Sequence, residues 1–218
     1  SDYTYMGIYY KSIREKKIDY LTTYDYIWRW DTDWFWCSKH FLVQYPAVRF
    51  MMGKKRLRSA TYTKLMKLNQ QYPLFDLLSG LFGKRESVIQ DVQIPIDNCA
   101  KFLEFFQKEI RINPIWMCPT HAHDRNTVFD LYNMNPDKLY VNFGFWDVIK
   151  TLHDGYHNRK VEKMVKRLCG LKSLYSSSYY SDEEFWELYN NNAYDRLKSK
   201  YDPVNVFPNL YGKCVLKN

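Results

Sequence analysis

Four stretches of the chain carry residue types whose spacing could do chemistry. The first is Cys118-Pro-Thr-His121-Ala-His123-Asp124. On a strand, His121 and His123 would share a face, and Cys118 could add a thiolate. A zinc site needs a fourth ligand or an open water position, and nothing nearby has metal spacing, so the pattern favours two loop histidines and no metal. The second is His153 and His157, four apart near a helix start. No H-E-x-x-H acid accompanies them, which leaves surface or capping roles. The third is Lys172 to Tyr180, with Lys172, Tyr175, Tyr179 and Tyr180 in LKSLYSSSYY. A tyrosine can donate a proton and a lysine can hold a substrate oxygen; the competing reading is aromatic packing at a strand edge. The fourth is Arg29-Trp30-Asp31-Thr32-Asp33-Trp34. Charges among tryptophans suggest a buried ion pair or a polar cluster lining an apolar pocket.

The elements that must position these residues follow from periodicity. Residues 18 to 38, dense in Tyr, Trp, Thr and Ile, favour extended structure, with a turn expected at Pro46. Residues 57 to 72 read as a helix, and Gly80 and Gly83 mark a boundary near 80 to 87. Val88, Val92 and Ile94 alternate in a strand closed by Pro95, and Asp97 is the expected cap of a helix bearing Cys99, Leu103, Phe106 and Ile110. A short strand IWMC, a strand at Leu139 to Phe145, a helix with Val161, Met164, Val165 and Leu168 ending at Gly170, and a strand over LKSLYSSSYY complete the order. Strand, helix, strand, strand, helix, strand is the ferredoxin-like split pattern, an α+β fold with an antiparallel sheet and both helices on one face. Two more helices should close the chain, the first opened by the capping box Ser181-Asp182-Glu183-Glu184 and the second ending before Asp202-Pro203.

Composition bounds the rest. With 218 residues, 46% hydrophobic and 18% aromatic, the chain can build a large core or an apolar ligand surface. A net charge of +8, concentrated in Lys54, Lys55, Arg56 and Arg58 and in Lys163, Lys166 and Arg167, reads as a solvated basic face or a phosphate or headgroup surface. Five scattered cysteines without a C-x-x-C pair fit reduced thiols in a cytoplasmic setting. No apolar run approaches the roughly 20 residues of a membrane span. The absence of G-x-G-x-x-G and of a P-loop removes a nucleotide-phosphate cradle. A start at Ser1 directly before aromatic sequence suggests a piece of a longer protein.

Five segments in order carry a resemblance: YDYIWRWDTDWFW with YPAVRF, NPIWMCP from Asn113 to Pro119, LYVNFGF, SLYSSSYYSDEEFWELY and YDPVNVFPNLYGKCV. They resemble the C-terminal part of sterol delta-24-reductases and their bacterial FAD-linked relatives, oxidoreductases of the vanillyl-alcohol-oxidase type. The resemblance implies an N-terminal FAD domain outside this chain, residues 1–87 leaving that domain, and a ferredoxin-like cap at residues 88–218. It also implies reduction of a carbon–carbon double bond in a sterol or branched fatty-acyl lipid, with NADPH as a common electron donor. Under it Tyr175 is the first candidate for proton donor or substrate contact, supported by Lys172 and Tyr179. Asp202 and Asn205 would fold onto the flavin domain. Trp28, Arg29, Trp30, Asp31, Trp34 and Trp116 would line the substrate channel. The implied partners are the lipid and the flavin domain, with peripheral membrane contact and no nucleic acid expected. Two other readings compete: a non-catalytic basic, aromatic module for nucleic acid or anionic membrane, and an oligomerisation domain with exposed aromatics.

Overall fold

A computed structural model of the protein describes residues 1–3, 5–34, 38, 41–71 and 84–217, with the side chains of 69–71 outside the description. The chain divides into two compact units, Ser1–Phe82 and Gly83–Asn218.

The first unit is helical where extended structure was expected. α1 (Tyr9–Ser12) precedes α2 (Thr23–Trp28), and Thr22 Oγ1 caps α2 by accepting from Asp25 N at 3.1 Å. That cap outweighs the β-propensity of the aromatic residues. Pro46 opens α3 (Pro46–Leu57) at its first turn, where a missing N–H costs nothing. α4 (Ser59–Gln71) follows within the range expected of it. The core here joins Trp34, Val43 and Leu57, with Phe41, Tyr62 and Leu65 against them.

The second unit is an α+β fold around a four-stranded sheet. β1 (Arg85–Pro95) pairs antiparallel along its whole length with β3 (Tyr140–Lys150). β2 (Trp116–Thr120) pairs with the other edge of β3, and β4 (Leu171–Lys172) with β1, giving the order β2-β3-β1-β4. All pairings are antiparallel, compatible with the split βαββαβ expectation. Alternation along β1 turns Glu86, Val88, Gln90, Val92 and Ile94 inward. Against them lie Phe102 and Phe106 of α5 (Cys99–Glu109) and Val161 and Val165 of α6 (Tyr156–Arg167), so both helices cover one face.

Local expectations differ in three places. The residue before α5 is Asn98, without a side-chain cap bond, because Asp97 sits in a 3-10 turn, Ile96–Asn98. The left-handed residue after α6 is Cys169, with φ of 55°. Gly170 serves close packing instead: a Cβ there would stand 2.5 Å from the Gln93 carbonyl oxygen. The strand expected over LKSLYSSSYY shrinks to β4, and the chain turns away at Leu174 and Tyr175. The cause is Lys172, whose ammonium draws Ser177 and Ser178 back towards it.

The expected capping box is fully formed on α7 (Asp182–Tyr189): Glu184 N donates to Ser181 Oγ and Ser181 N to Glu184 Oε2, both at 3.2 Å. α8 (Asn191–Tyr201) follows, and Phe185, Tyr189 and Tyr180 form a satellite core.

Candidate functional site

The sheet's second face is uncovered by α5 and α6, and it carries a row of polar side chains. Thr120 Oγ1 donates to Gln93 Oε1 at 3.1 Å, Gln93 Nε2 to Asn142 Oδ1 at 3.0 Å, and Asn142 Nδ2 to Asp91 Oδ1 at 3.3 Å. Every donation runs towards the Asp91 carboxylate. Directly across from Asp91 is Gly144, and across from Gly144 is Trp116. A Cβ at Gly144 would stand 2.5 Å from Asp91 Oδ1 and 3.3 Å from Trp116 Cβ. Only glycine lets the carboxylate lean across β3 while the indole stands on its other side.

Tyr175 joins this row through the backbone. Ser173 N donates to the Asp91 carbonyl at 2.9 Å, which sets the turn carrying Tyr175 beside β1. Partial desolvation and the neighbouring Asp91 carboxylate raise the Tyr175 pKa, so the phenol stays protonated at neutral pH. Tyr175 is 63% exposed, and Trp116 is 51% exposed. Thus Asp91, Trp116 and Tyr175 present one acceptor, one large apolar surface and one hydroxyl on an open face.

Lys172 and Tyr179 lie elsewhere. Lys172 is 0% exposed on the covered side, with Nζ 2.9 Å from Glu162 Oε1 and 3.0 Å from Ser178 Oγ. Burial pushes the Glu162 carboxyl up and the Lys172 ammonium down, each opposed by the other's charge. Tyr189 Oη donates to the Lys172 carbonyl at 2.6 Å. Lys172 is therefore a buried tie that fixes segment 173–180, one step removed from the open face. Tyr179 N donates to Glu162 Oε1 at 3.1 Å and its hydroxyl to Asp154 at 3.4 Å. Burial, then Asp154 and Glu86, push its pKa up to about 12.

The aromatic segment of the first unit splits between surface and core. Arg29 stacks on Tyr26, its guanidinium carbon 3.8 Å from the ring centroid, beside half-exposed Trp28. Trp30 meets Tyr9 edge-on at 4.8 Å. The Asp31 carbonyl accepts from Ser59 Oγ at 2.8 Å, which fixes the start of α4. Trp34, 2% exposed, packs into the core with Phe41 and Tyr62. Arg49 is the residue that the sequence reading missed here. It is 1% exposed, donating to Tyr5 O at 3.0 Å and Thr32 O at 3.1 Å, and Asp33 opposes the burial that lowers its pKa. The charge buried beside this segment is thus Arg49, held by backbone carbonyls with Asp33 acting on it electrostatically, and its place in YPAVRF among apolar residues was the available signal.

Asp202 ends α8 and closes a loop: its carboxylate pairs with Lys198 and accepts from Val206 N at 2.8 Å and Phe207 N at 3.1 Å. Asn205 adopts φ of 54° and donates from its N–H to the Asp202 carbonyl at 3.0 Å. His157 N donates to Glu86 Oε2 at 2.9 Å, and His121 Nδ1 lies 2.7 Å from the Ala122 carbonyl oxygen. Among the described residues no group of three His, Cys, Asp or Glu side chains could hold a metal ion. Cys99, Cys118, Cys169 and Cys214 carry free thiols. Among the described residues no helix is long and apolar enough to cross a membrane.

The second unit thus belongs to the α+β class in which helices cover one face of an antiparallel sheet. By sequence, the chain is similar over most of its length to delta(24)-sterol reductases. It is 26% identical over 206 residues to a delta(24)-sterol reductase homolog of Caenorhabditis elegans, covering 92% of this chain and 37% of that protein. It is 29% identical over 151 residues to the delta(24)-sterol reductase of Homo sapiens (68% and 28%) and 25% identical over 145 residues to that of Arabidopsis thaliana (58% and 26%). The chain therefore spans well under half the length of these relatives. No family model matches it, and no solved structure does.

Proposed function

We propose that the second unit is the substrate-covering part of an FAD-dependent oxidoreductase that reduces a carbon–carbon double bond in a sterol or branched fatty-acyl lipid. The observation that carries this reading is the polar row on the sheet face opposite α5 and α6, where Asp91 lies between Gly144 and Tyr175 and Trp116 stands across Gly144, in a relative of sterol reductases. A flavin domain outside this chain completes the enzyme, NADPH serves as electron donor, and the site works in the cytoplasm or against one of its membranes.

The chain's residues fit the ring end of a flavin better than its phosphates. The Tyr175 hydroxyl and the second N–H of each of the Gln93 and Asn142 amides, beyond the one used along the row, offer the neutral donors that a ring edge takes, whereas no glycine-rich phosphate loop is encoded. Asp202 fits poorly as a ligand, since Lys198 and two backbone amides already engage its carboxylate. A bound flavin would supply hydride chemistry. Trp116 would exclude water and carry apolar substrate surface. Tyr175 would orient the substrate through a protonated hydroxyl. A tyrosinate beside Asp91 is disfavoured, so substrate contact is better supported than proton donation.

The test is Tyr175→Phe in the flavin-containing protein. The expected result is a fall in turnover of at least about tenfold, with the flavin absorbance retained. Undiminished turnover removes Tyr175 from the site. A protein that binds no FAD at all removes the oxidoreductase reading.

A further inference from the structure

A concave site lies on the helix-covered side of the second unit, away from the face that carries Asp91. It is a groove of about 370 Å³ between α6 and the segment leading into α7. One wall carries Arg159, Lys163, Lys166 and Arg167, and Tyr179 and Tyr180 form much of the other. Arg159, Lys163 and Arg167 stand at i, i+4 and i+8 of one helix, so they share a face with about 5–6 Å between successive Cβ atoms.

The acids near this row are engaged elsewhere. Glu162 is turned inward onto Lys172 at 2.9 Å and accepts from Tyr179 N. Glu187 pairs with Lys166, and Glu184, which borders the groove, accepts from Ser181 N at 3.2 Å. Among the described residues Arg159, Lys163 and Arg167 form no ion pair. Like charges at i and i+4 weaken a helix, so this face is stabilised by whatever anion neutralises it. Two guanidiniums bracketing an ammonium suit a phosphate group, which takes paired N–H donors from arginine and a point charge from lysine. The tyrosine wall gives the remainder of a phosphorylated ligand an apolar side to lie on.

We propose that the groove between α6 and residues 179–184 is a binding site for a phosphate-bearing ligand, held by Arg159, Lys163 and Arg167. It is independent of the double-bond reduction and stands whether or not that reading holds. The phosphate could belong to a soluble small molecule or to a lipid headgroup, and the assay separates the two. This chain is titrated with inorganic pyrophosphate, and separately with phosphatidylcholine vesicles with and without phosphatidic acid. Both titrations are repeated on Lys163→Gln/Arg167→Gln, and on Lys54→Gln/Lys55→Gln as an equal change of charge in the first unit. Saturable pyrophosphate binding that weakens at least tenfold only in the groove variant supports the site and a soluble ligand. Phosphatidic-acid-dependent binding with the same selectivity supports it with a lipid source. No binding in either titration, or equal weakening by both variants, overturns it.

Discussion

Replacing Lys172 with methionine should separate a structural tie from a group that acts on substrate. The ammonium is fully buried and donates to Glu162, Ser178 Oγ and the Ser177 carbonyl. Methionine keeps much of the stem's volume but leaves the Glu162 carboxylate, 2% exposed, without its cation. Removing one partner of a buried pair costs about 3–5 kcal/mol, because the stranded charge keeps its desolvation penalty. Replacing both with apolar residues of similar volume is often neutral or stabilising. Lys172→Met should therefore lower the stability of the second unit by about 3 kcal/mol or more, and Lys172→Met/Glu162→Leu should recover the part due to the stranded charge while Tyr179 N, the Ser177 carbonyl and Ser178 Oγ stay unpaired. Amide hydrogen exchange at Val88, Gln90 and Val92 of β1 reads this opening free energy residue by residue. A loss under about 1 kcal/mol in the single variant, or a double variant no better than the single, would refute the buried-tie account.

Gly144→Ala should push the Asp91 carboxylate aside, since the new methyl lies 2.5 Å from Oδ1, and should break the 3.3 Å bond from Asn142. Stability should change by only about 1 kcal/mol, while the Tyr175 pKa falls as the carboxylate moves away, measured by NMR of ring-labelled tyrosine. Glu86→Gln should cost about 2 kcal/mol at pH 7, because the carboxylate accepts from His157 N, Asn158 N, Asn158 Nδ2 and Thr151 Oγ1. Burial raises the Glu86 pKa but these donors lower it further, and the net shift is downward. Its stabilisation is then complete above the unfolded carboxylate value of about 4.3 and lost as pH falls through the lower folded value. The difference between wild type and Glu86→Gln in denaturant titrations should shrink across that acid range and stay constant above it.

The sheet was legible because its strands are long and alternate: Val88, Val92 and Ile94 mark β1, and Val141, Phe143 and Phe145 mark β3. The same alternation places Asp91 and Gln93 on the opposite face, so half of the polar row was available in VIQDVQIP. Register supplied the other half. Nothing local says that Gly144 stands across from Asp91 and Trp116, since pairing between strands far apart in the chain is a tertiary fact. Short elements misled for a related reason. Residues 18–38 look extended by composition, yet one threonine cap and the packing of Trp34 turn part of that stretch helical. In LKSLYSSSYY the composition suggested a longer strand, but a buried ammonium two residues into it redirected the chain and parted Tyr175 from Tyr179. Residues 35–37 and 80–83, on which the channel and the boundary were also placed, lie outside the described residues.

The Glu86 carboxylate has a consequence for how the chain meets its neighbours. β4 pairs only with Val92 and Gln93, so among the described residues the outer edge of β1 from Arg85 to Gln90 carries no ladder partner. Such an edge invites a strand from another molecule. A newcomer that pulled β1 from α6 would part Glu86 from the helix amides of His157 and Asn158, and Gln90 from Asn158, leaving a charge and an amide to find water in a hydrophobic seam. One inward-facing acid thus makes this edge selective: β1 can extend the sheet only while α6 is seated.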